Sequence, residues 1–352
     1  MTDRRLIDSH KLHFHPERVA QWNAASREGE WALARDIYPI YVEISPVGAC
    51  NHRCTFCAVD YIGYTSDQLD GAVLRERLRE MAKLGVKSVM FAGEGEPLLH
   101  KETNTNVIAG YAARLDMAFT TNGVLLHKLR EINLCKWVRI SLNAGKRDTY
   151  AAVHRTKAAD FDTVLRNIKD AVRRKGTCDL GVQCVVLPEN VDEIASLYAI
   201  CDDIGVDYLI AKPYSQHKKS ETHVYEGQRP WSDFLSFKSE RGHCEFIYRT
   251  ETAATTHITY DKCHATPSFW AYVMANGDVY SCSAYLLDDR FKMGNINDAT
   301  FKSVWQSEKR RLNWEFVREG LDIHECRVNC RMDKVKRYLT ELVAMEHDKN
   351  FI

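Results

Sequence analysis

Between residues 37 and 213, six short apolar runs alternate with longer amphipathic segments, and this rhythm leaves few folds open. The runs are 39–44, 88–92, 117–120, 137–142, 180–186 and 208–211. Each has the length of a strand, and most are rich in β-branched or aromatic residues. The stretches between them, such as 69–84, 162–175 and 191–204, read as amphipathic helices. Strand–helix alternation builds a parallel sheet, because a parallel return needs a helix-length crossover, and crossovers are right-handed. The fold class expected is therefore α/β, with the sheet open or curled into a partial (β/α)6 barrel. In such sheets functional groups collect at the carboxyl ends of the strands.

After Pro213 the rhythm breaks. Residues 223–262 read as an irregular connecting region, and 263–333 combine a hairpin pattern with cysteines. A closing helix is expected over 333–345. Residues 1–36 read as a helical N-terminal extension outside the 37–222 barrel, and 334–352 as the C-terminal helix. His10, His13 and His15 in the extension are expected on a solvated or substrate-covering segment.

Lys plus Arg and Asp plus Glu are 48 each, so no global charge favours nucleic acid or a membrane surface. No run approaches the roughly 20 apolar residues of a membrane helix. The start, Met1-Thr2-Asp3-Arg4-Arg5, has no apolar stretch for a signal peptide, so a cytoplasmic location is expected. The 12 cysteines of a chain in a reducing compartment point to metal, catalysis or burial rather than disulfides.

Cys50, Cys54 and Cys57 follow the first expected strand with the spacing CxxxCxxC. Three thiolates on one loop can converge on a cluster or a metal. An iron–sulfur cube has about four irons, so three ligands leave one iron open. A structural zinc site is the alternative, although His52 is poorly spaced to complete it. Further along, Gly93-Glu94-Gly95-Glu96-Pro97 follows the second strand and Thr121-Asn122-Gly123 the third. Ser141-Leu142-Asn143 ends the fourth, and Arg155 precedes a helix. Each alone is an ordinary turn, cap or surface residue.

Together these residues resemble the radical S-adenosylmethionine (SAM) superfamily, whose signature has this cysteine spacing with an aromatic, here Phe56, before the last cysteine. The resemblance implies a [4Fe–4S] cluster on Cys50, Cys54 and Cys57 that binds SAM and cleaves it to a 5′-deoxyadenosyl radical. It implies SAM contacts from Gly93, Glu94, Gly95, Glu96, Asn122, Ser141, Asn143, Arg155 and Gln183. Glu94 departs from the family's GGEP motif, where glycine is usual. A low-potential electron donor such as flavodoxin or ferredoxin is implied as a partner.

Cys263 and Cys282 flank a hairpin signalled by Asn276-Gly277, and Cys326 and Cys330 follow. Four cysteines in two local pairs suit a cluster or a structural zinc. With Gly294-Asn295-Ile296 and Val304-Trp305, the region resembles the SPASM/Twitch auxiliary-cluster domains, four cysteines fitting the smaller Twitch form. The resemblance implies a second, auxiliary [4Fe–4S] cluster and an architecture similar to the 2-deoxy-scyllo-inosamine dehydrogenases.

Cys135, Cys178, Cys184, Cys201 and Cys244 are expected in the core. Glu43, Lys212 and Tyr214 are the candidate catalytic residues by position, with His217 and Trp231 as further substrate contacts. The function expected is hydrogen abstraction from a small polar metabolite such as a sugar, aminocyclitol or nucleotide sugar, giving dehydrogenation, epimerisation or related chemistry. Modification of a ribosomally made peptide or protein is the alternative, and a non-enzymatic iron–sulfur scaffold the third.

Overall fold

The computed structural model describes residues 5–225, 242–249, 252, 255, 257–327 and 330–345, so Trp231 lies outside the described residues. All six expected strands form: β1 (Tyr41–Ile44), β2 (Ser88–Phe91), β3 (Asp116–Thr121), β4 (Cys135–Ser141), β5 (Asp179–Val186) and β6 (Tyr208–Pro213). They pair in parallel and in sequential order. Since that order never reverses, right-handed crossovers place the intervening helices on one face, and the other face must curl around its own contents.

The helices are α1 (Pro16–Glu28), α2 (Trp31–Ala34), α3 (Gly71–Lys83), α4 (Thr103–Ala112), α5 (Arg147–His154), α6 (Ala158–Arg174) and α7 (Ile194–Ile204). Their starts and faces follow from sequence. Asp70 caps α3 by accepting from the N–H groups of Ala72 and Val73 at 2.8 and 2.9 Å. Along α6, Phe161, Val164, Ile168 and Ala171 form one buried stripe.

Strand alternation divides the sheet into two unlike faces. Val42, Ile44, Val89, Phe91, Val138, Ile140 and Val182 enter the helix-side core, which also buries Cys135, Cys178, Cys184, Cys201 and Cys244. The intervening positions carry Glu43, Thr120, Arg139, Gln183 and Lys212. The same face also carries Met90, Ala92, Ala118, Trp137 and Ile210, so it is mixed, with charged and polar groups set among apolar ones.

The sheet extends beyond these six strands. On one side β7 (Glu245–Tyr248) continues parallel to β6. On the other, β8 (Trp270–Val273) lies parallel to β1, with Tyr41 opposite Trp270 and Ile44 opposite Val273. The expected hairpin is formed by β8 and β9 (Asp278–Tyr280), and β10 (Lys292–Asn295) pairs antiparallel to β9. The ten strands run in the order β10-β9-β8-β1-β2-β3-β4-β5-β6-β7.

The C-terminal region adds α8 (Phe301–Trp305), α9 (Glu308–Glu319) and α10 (Asp333–Ala344). Val273, Val279, Phe301 and Trp305 share one hydrophobic cluster with Val42 and Leu78, so core and sheet run straight across the boundaries expected at 222 and 262. The N-terminal extension packs as well: Leu12, Val19, Trp22 and Ala25 meet Phe269, Trp314 and Leu339. His10 stacks on Tyr338 with ring centroids 4.4 Å apart. No helix among the described residues is long and apolar enough to cross a membrane.

Candidate active site

The cysteine loop leaves β1 and is clamped between two other segments. On one side the turn after β2 presses close. A Cβ on Gly95 would stand 2.1 Å from the Val47 carbonyl oxygen, and Gly93 has φ +112° with Ser45 beside it. Neither position can carry a side chain without moving the loop. On the other side the Arg53 and Thr55 N–H groups donate to the carbonyls of His154 and Val153 at the end of α5, at 3.2 and 2.9 Å. A third tie comes from Ser220, whose hydroxyl donates to the Cys57 carbonyl at 3.2 Å.

Cys50, Cys54, Cys57 and Phe56 line one cavity together with Gly93, Glu94, Gly95, Glu96, Asn122 and Ser141. Glu96 is buried, and accepts from the Leu98 N–H at 3.1 Å, the Thr121 hydroxyl at 2.7 Å and the Asn122 N–H at 2.8 Å. A carboxylate offers about four lone-pair sites, so one remains for a donor from a ligand. Burial raises the Glu96 pKa, and those three donors oppose the rise. Glu94 turns the other way. It accepts from the Tyr272 hydroxyl of β8 and the Ala275 N–H, both at 2.8 Å.

Asn143, Arg155 and Gln183 do not line this cavity. The Asn143 side chain is spent inside the protein, its Oδ1 accepting from the Val185 N–H at 2.6 Å. Arg155 ends α5 at φ 46° and faces a neighbouring groove with Arg53, Tyr64 and Glu221. Gln183 sits on the inner face of β5 in register with Ser141 and Ile210.

Of the candidate catalytic residues, Glu43 is buried on β1, 3.4 Å from the Tyr41 hydroxyl, and pairs with Arg331. Lys212 ends the inner face of β6. Burial, followed by the charges of Arg249, Arg139 and Arg327, lowers its pKa to about 7. The Tyr214 hydroxyl donates to Gln216 at 2.7 Å and its ring meets Tyr225 edge-on. The sequence reading missed Arg139, which lies 4.7 Å over the Trp137 ring with a buried, unpartnered Nε. Period-2 alternation with Val138 and Ile140 would have placed it inside. It also missed His154, whose Nδ1 lies 3.3 Å from the Cys54 sulfur. No local signal connects those two residues. His217 is buried and stacks on Tyr61 with ring centroids 5.2 Å apart.

In the C-terminal region Cys263, Cys282 and Cys326 join one cluster with Tyr285 and Phe291, and Cys330 stands just before α10. Burial lowers the pKa of Lys336 on α10, but Cys263, Cys330, Tyr260 and Cys326 around it raise it well above its usual value.

Both cysteine sets suit a cluster better than a single ion. A zinc–sulfur bond of 2.3 Å puts tetrahedral sulfurs roughly 3.8 Å apart. Among the described residues, the one group of three or more donors within 4.8 Å of each other is His52, Cys54 and His154, with no second cysteine in it. Sulfurs spaced more widely leave room for a polynuclear cube.

The Radical SAM superfamily model matches residues 44–200, and that of SPASM, an iron–sulfur cluster-binding domain, matches residues 263–331. The GTP 3′,8-cyclase of Chlorobaculum tepidum is 29% identical over 196 residues, 53% of this chain and 58% of the cyclase. That of Clostridium acetobutylicum is 33% identical over 162 residues, 40% of this chain and 50% of the cyclase. The chain thus spans about half the length of the curated relatives it matches. In fold, SuiB of Streptococcus suis bound to S-adenosylmethionine aligns with TM-score 0.60 at 17% identity, over 77% of this chain and 66% of SuiB. Native anSMEcpe with bound AdoMet aligns with TM-score 0.58 at 20% identity, over 84% of this chain and 91% of the other.

Proposed function

Because this chain is a radical SAM protein with a SPASM iron–sulfur domain, we propose that it abstracts hydrogen from a small polar metabolite bearing a phosphate or carboxylate. The cofactors of the two domains are SAM, a [4Fe–4S] cluster and an auxiliary cluster, and the reduced cluster with SAM supplies the hydrogen-abstracting radical. Everything else falls to the protein.

In this reading Cys50, Cys54 and Cys57 hold the SAM-binding cluster, and Glu96 receives a SAM donor in its remaining acceptor site. Cys263, Cys282, Cys326 and Cys330 hold the auxiliary cluster. The observation that carries the substrate class is the charge of the inner face. Glu43 is answered by Arg331, and Glu94 by two hydrogen bonds. Arg139 and Lys212 are left without a carboxylate partner among the described residues. Arg139 and Lys212 share the inner strand face without lining the cysteine cavity itself, and a cationic, partly desolvated face beside that cavity favours an anion, because pairing there is worth more than in bulk water. The GTP 3′,8-cyclases support the same class, since their name describes action on a small anionic metabolite. Sugar phosphates and nucleotide sugars fit this description. Dehydrogenation, epimerisation or related chemistry would follow from one abstraction.

The test is 5′-deoxyadenosine release by the anaerobically reconstituted, reduced protein, with Cys50→Ala as blank. Cell extract is split into macromolecules and small molecules, and the latter by anion exchange. Stimulation by retained small anions is expected. Stimulation by macromolecules alone, or by the unretained small fraction alone, would reject the proposal.

A further inference from the structure

We propose that His154 is a positioning residue that donates a hydrogen bond from Nδ1 to the Cys54 thiolate and thereby raises the reduction potential of the cluster; this rests on the reading that Cys50, Cys54 and Cys57 hold that cluster.

The proton assignment follows from the neighbours of the ring. The Asn143 backbone N–H, which can only donate, points at His154 Nε2 from 3.3 Å. The Asn143 side chain adds a second donor. Its Oδ1 accepts from the Val185 N–H at 2.6 Å, which fixes the amide orientation and turns Nδ2 toward the same Nε2 at 3.3 Å. A nitrogen that receives two donors is the acceptor of a neutral imidazole, so the ring proton sits on Nδ1. That nitrogen is 3.3 Å from the Cys54 sulfur.

The ring is also held still. His154 is fully buried, stacks on Tyr150 at 4.3 Å between centroids, and meets Phe56 edge-on at 5.4 Å. Its own carbonyl anchors the Arg53 N–H, so one residue fixes both the backbone of the cysteine loop and one of its sulfurs. Hydrogen bonds to cluster sulfurs favour the reduced, more negative state and are a recognised control on cluster potential. A donor placed deep in a dry site acts with little loss to solvent.

The experiment is an EPR-monitored redox titration of the reconstituted holoprotein, following the signal that changes when SAM is added, which separates this cluster from the auxiliary one. His154→Leu should lower the ratio of reduced to oxidised cluster about tenfold at a fixed poise, equivalent to about 59 mV for a one-electron couple. His154→Gln, whose amide can reach the sulfur, should recover much of that shift. In parallel, histidine-15N-labelled wild-type protein should show a weak nitrogen coupling and an exchangeable proton coupling on the reduced cluster. Unchanged potentials in both variants, or the absence of both couplings in wild-type protein, would overturn the inference. Should His154→Leu fail to fold, the wild-type couplings decide. If no SAM-responsive signal assembles in wild-type protein, the cluster assignment fails instead, a different result.

Discussion

Replacing Lys212 by methionine should stabilise the protein and weaken its activity together, with both effects set by pH. Lys212 is surrounded by Arg249, Arg139 and Arg327, and its pKa falls from 10.5 to about 7. Nearby Asp8 is engaged with Arg249 at 3.3 Å and so does not relieve it. Below about pH 7 the lysine is charged in both folded and unfolded chains, and the folded state bears the full cost. Between about 7 and 10.5 the unfolded chain binds the extra proton, so stability rises with pH across that window. At 1.36 kcal/mol per pKa unit the ceiling is about 5 kcal/mol. Lys212 retains some solvent contact, so about 2 kcal/mol is the expected gain for Lys212→Met at pH 6. That amounts to a rise in Tm of a few degrees, shrinking toward zero above pH 10.5. Function should move the other way. A hydrogen bond to a charged group is worth about 1.5–3 kcal/mol, so KM for the anionic substrate should rise about tenfold to a hundredfold. In wild-type protein kcat/KM should fall from pH 6 to 8.5 as free Lys212 loses its proton, and Lys212→Met should flatten that fall. The assays are calorimetry of reconstituted protein at pH 6 and 9, and steady-state kinetics on the purified substrate. If Lys212→Met is no more stable than wild type at pH 6 and keeps its KM, the inner face is not a charge-strained anion site.

Three further outcomes follow from other contacts. Glu94→Gln should lower Tm by the equivalent of about 1 kcal/mol, because the amide can still accept from Ala275 and donate to the Tyr272 oxygen but loses the charge assistance of both bonds; calorimetry with iron analysis checks that cluster loading is unchanged. Arg310→Met should cost about 3–5 kcal/mol, read by denaturant unfolding. The fully buried guanidinium donates to the carbonyls of Pro267, Arg35, Trp305, Ala34 and Ile37; Ala34 and Ile37 keep the Ile37 N–H and the Trp305 indole N–H, and the other three lose this donor. Cys50→Ala and Cys282→Ala should each remove about half of the bound iron and together nearly all of it; equal iron in single variants and wild type would reject both ligand sets.

The parts legible in the sequence are those encoded locally. Apolar runs at strand length, a capping aspartate at 70 and cysteines separated by three and two intervening residues each report on their own neighbourhood. The six parallel strands came through for that reason. Arg139 was legible too, since Val138 and Ile140 flank it on a strand of known parity, but a lone arginine was not weighed against its alternation. His154 was not legible. It meets Cys54 across 100 residues, and its tautomer is decided by Asn143, just after β4, and Val185 on β5. Asn143 illustrates the same limit from the other side: a polar residue at the end of a strand reads as a ligand contact, and here it holds β5 and the histidine ring.

Glu94 shows how the barrel and the auxiliary region are tied together. In the sequence it breaks a glycine-rich turn and has no local reason to be there. Its partners lie at positions 272 and 275, on the strand that pairs with β1 and at the turn that follows it. A residue that violates a local pattern is expected to be compensated elsewhere, and here the compensation is the contact between the loop after β2 and the auxiliary hairpin. That contact acts together with the β1–β8 ladder, so one continuous sheet joins the regions that carry the two cysteine sets. A boundary drawn between them from cysteine spacing therefore crosses backbone hydrogen bonds, and truncating the chain at 262 should unfold the cysteine loop instead of releasing an independent barrel.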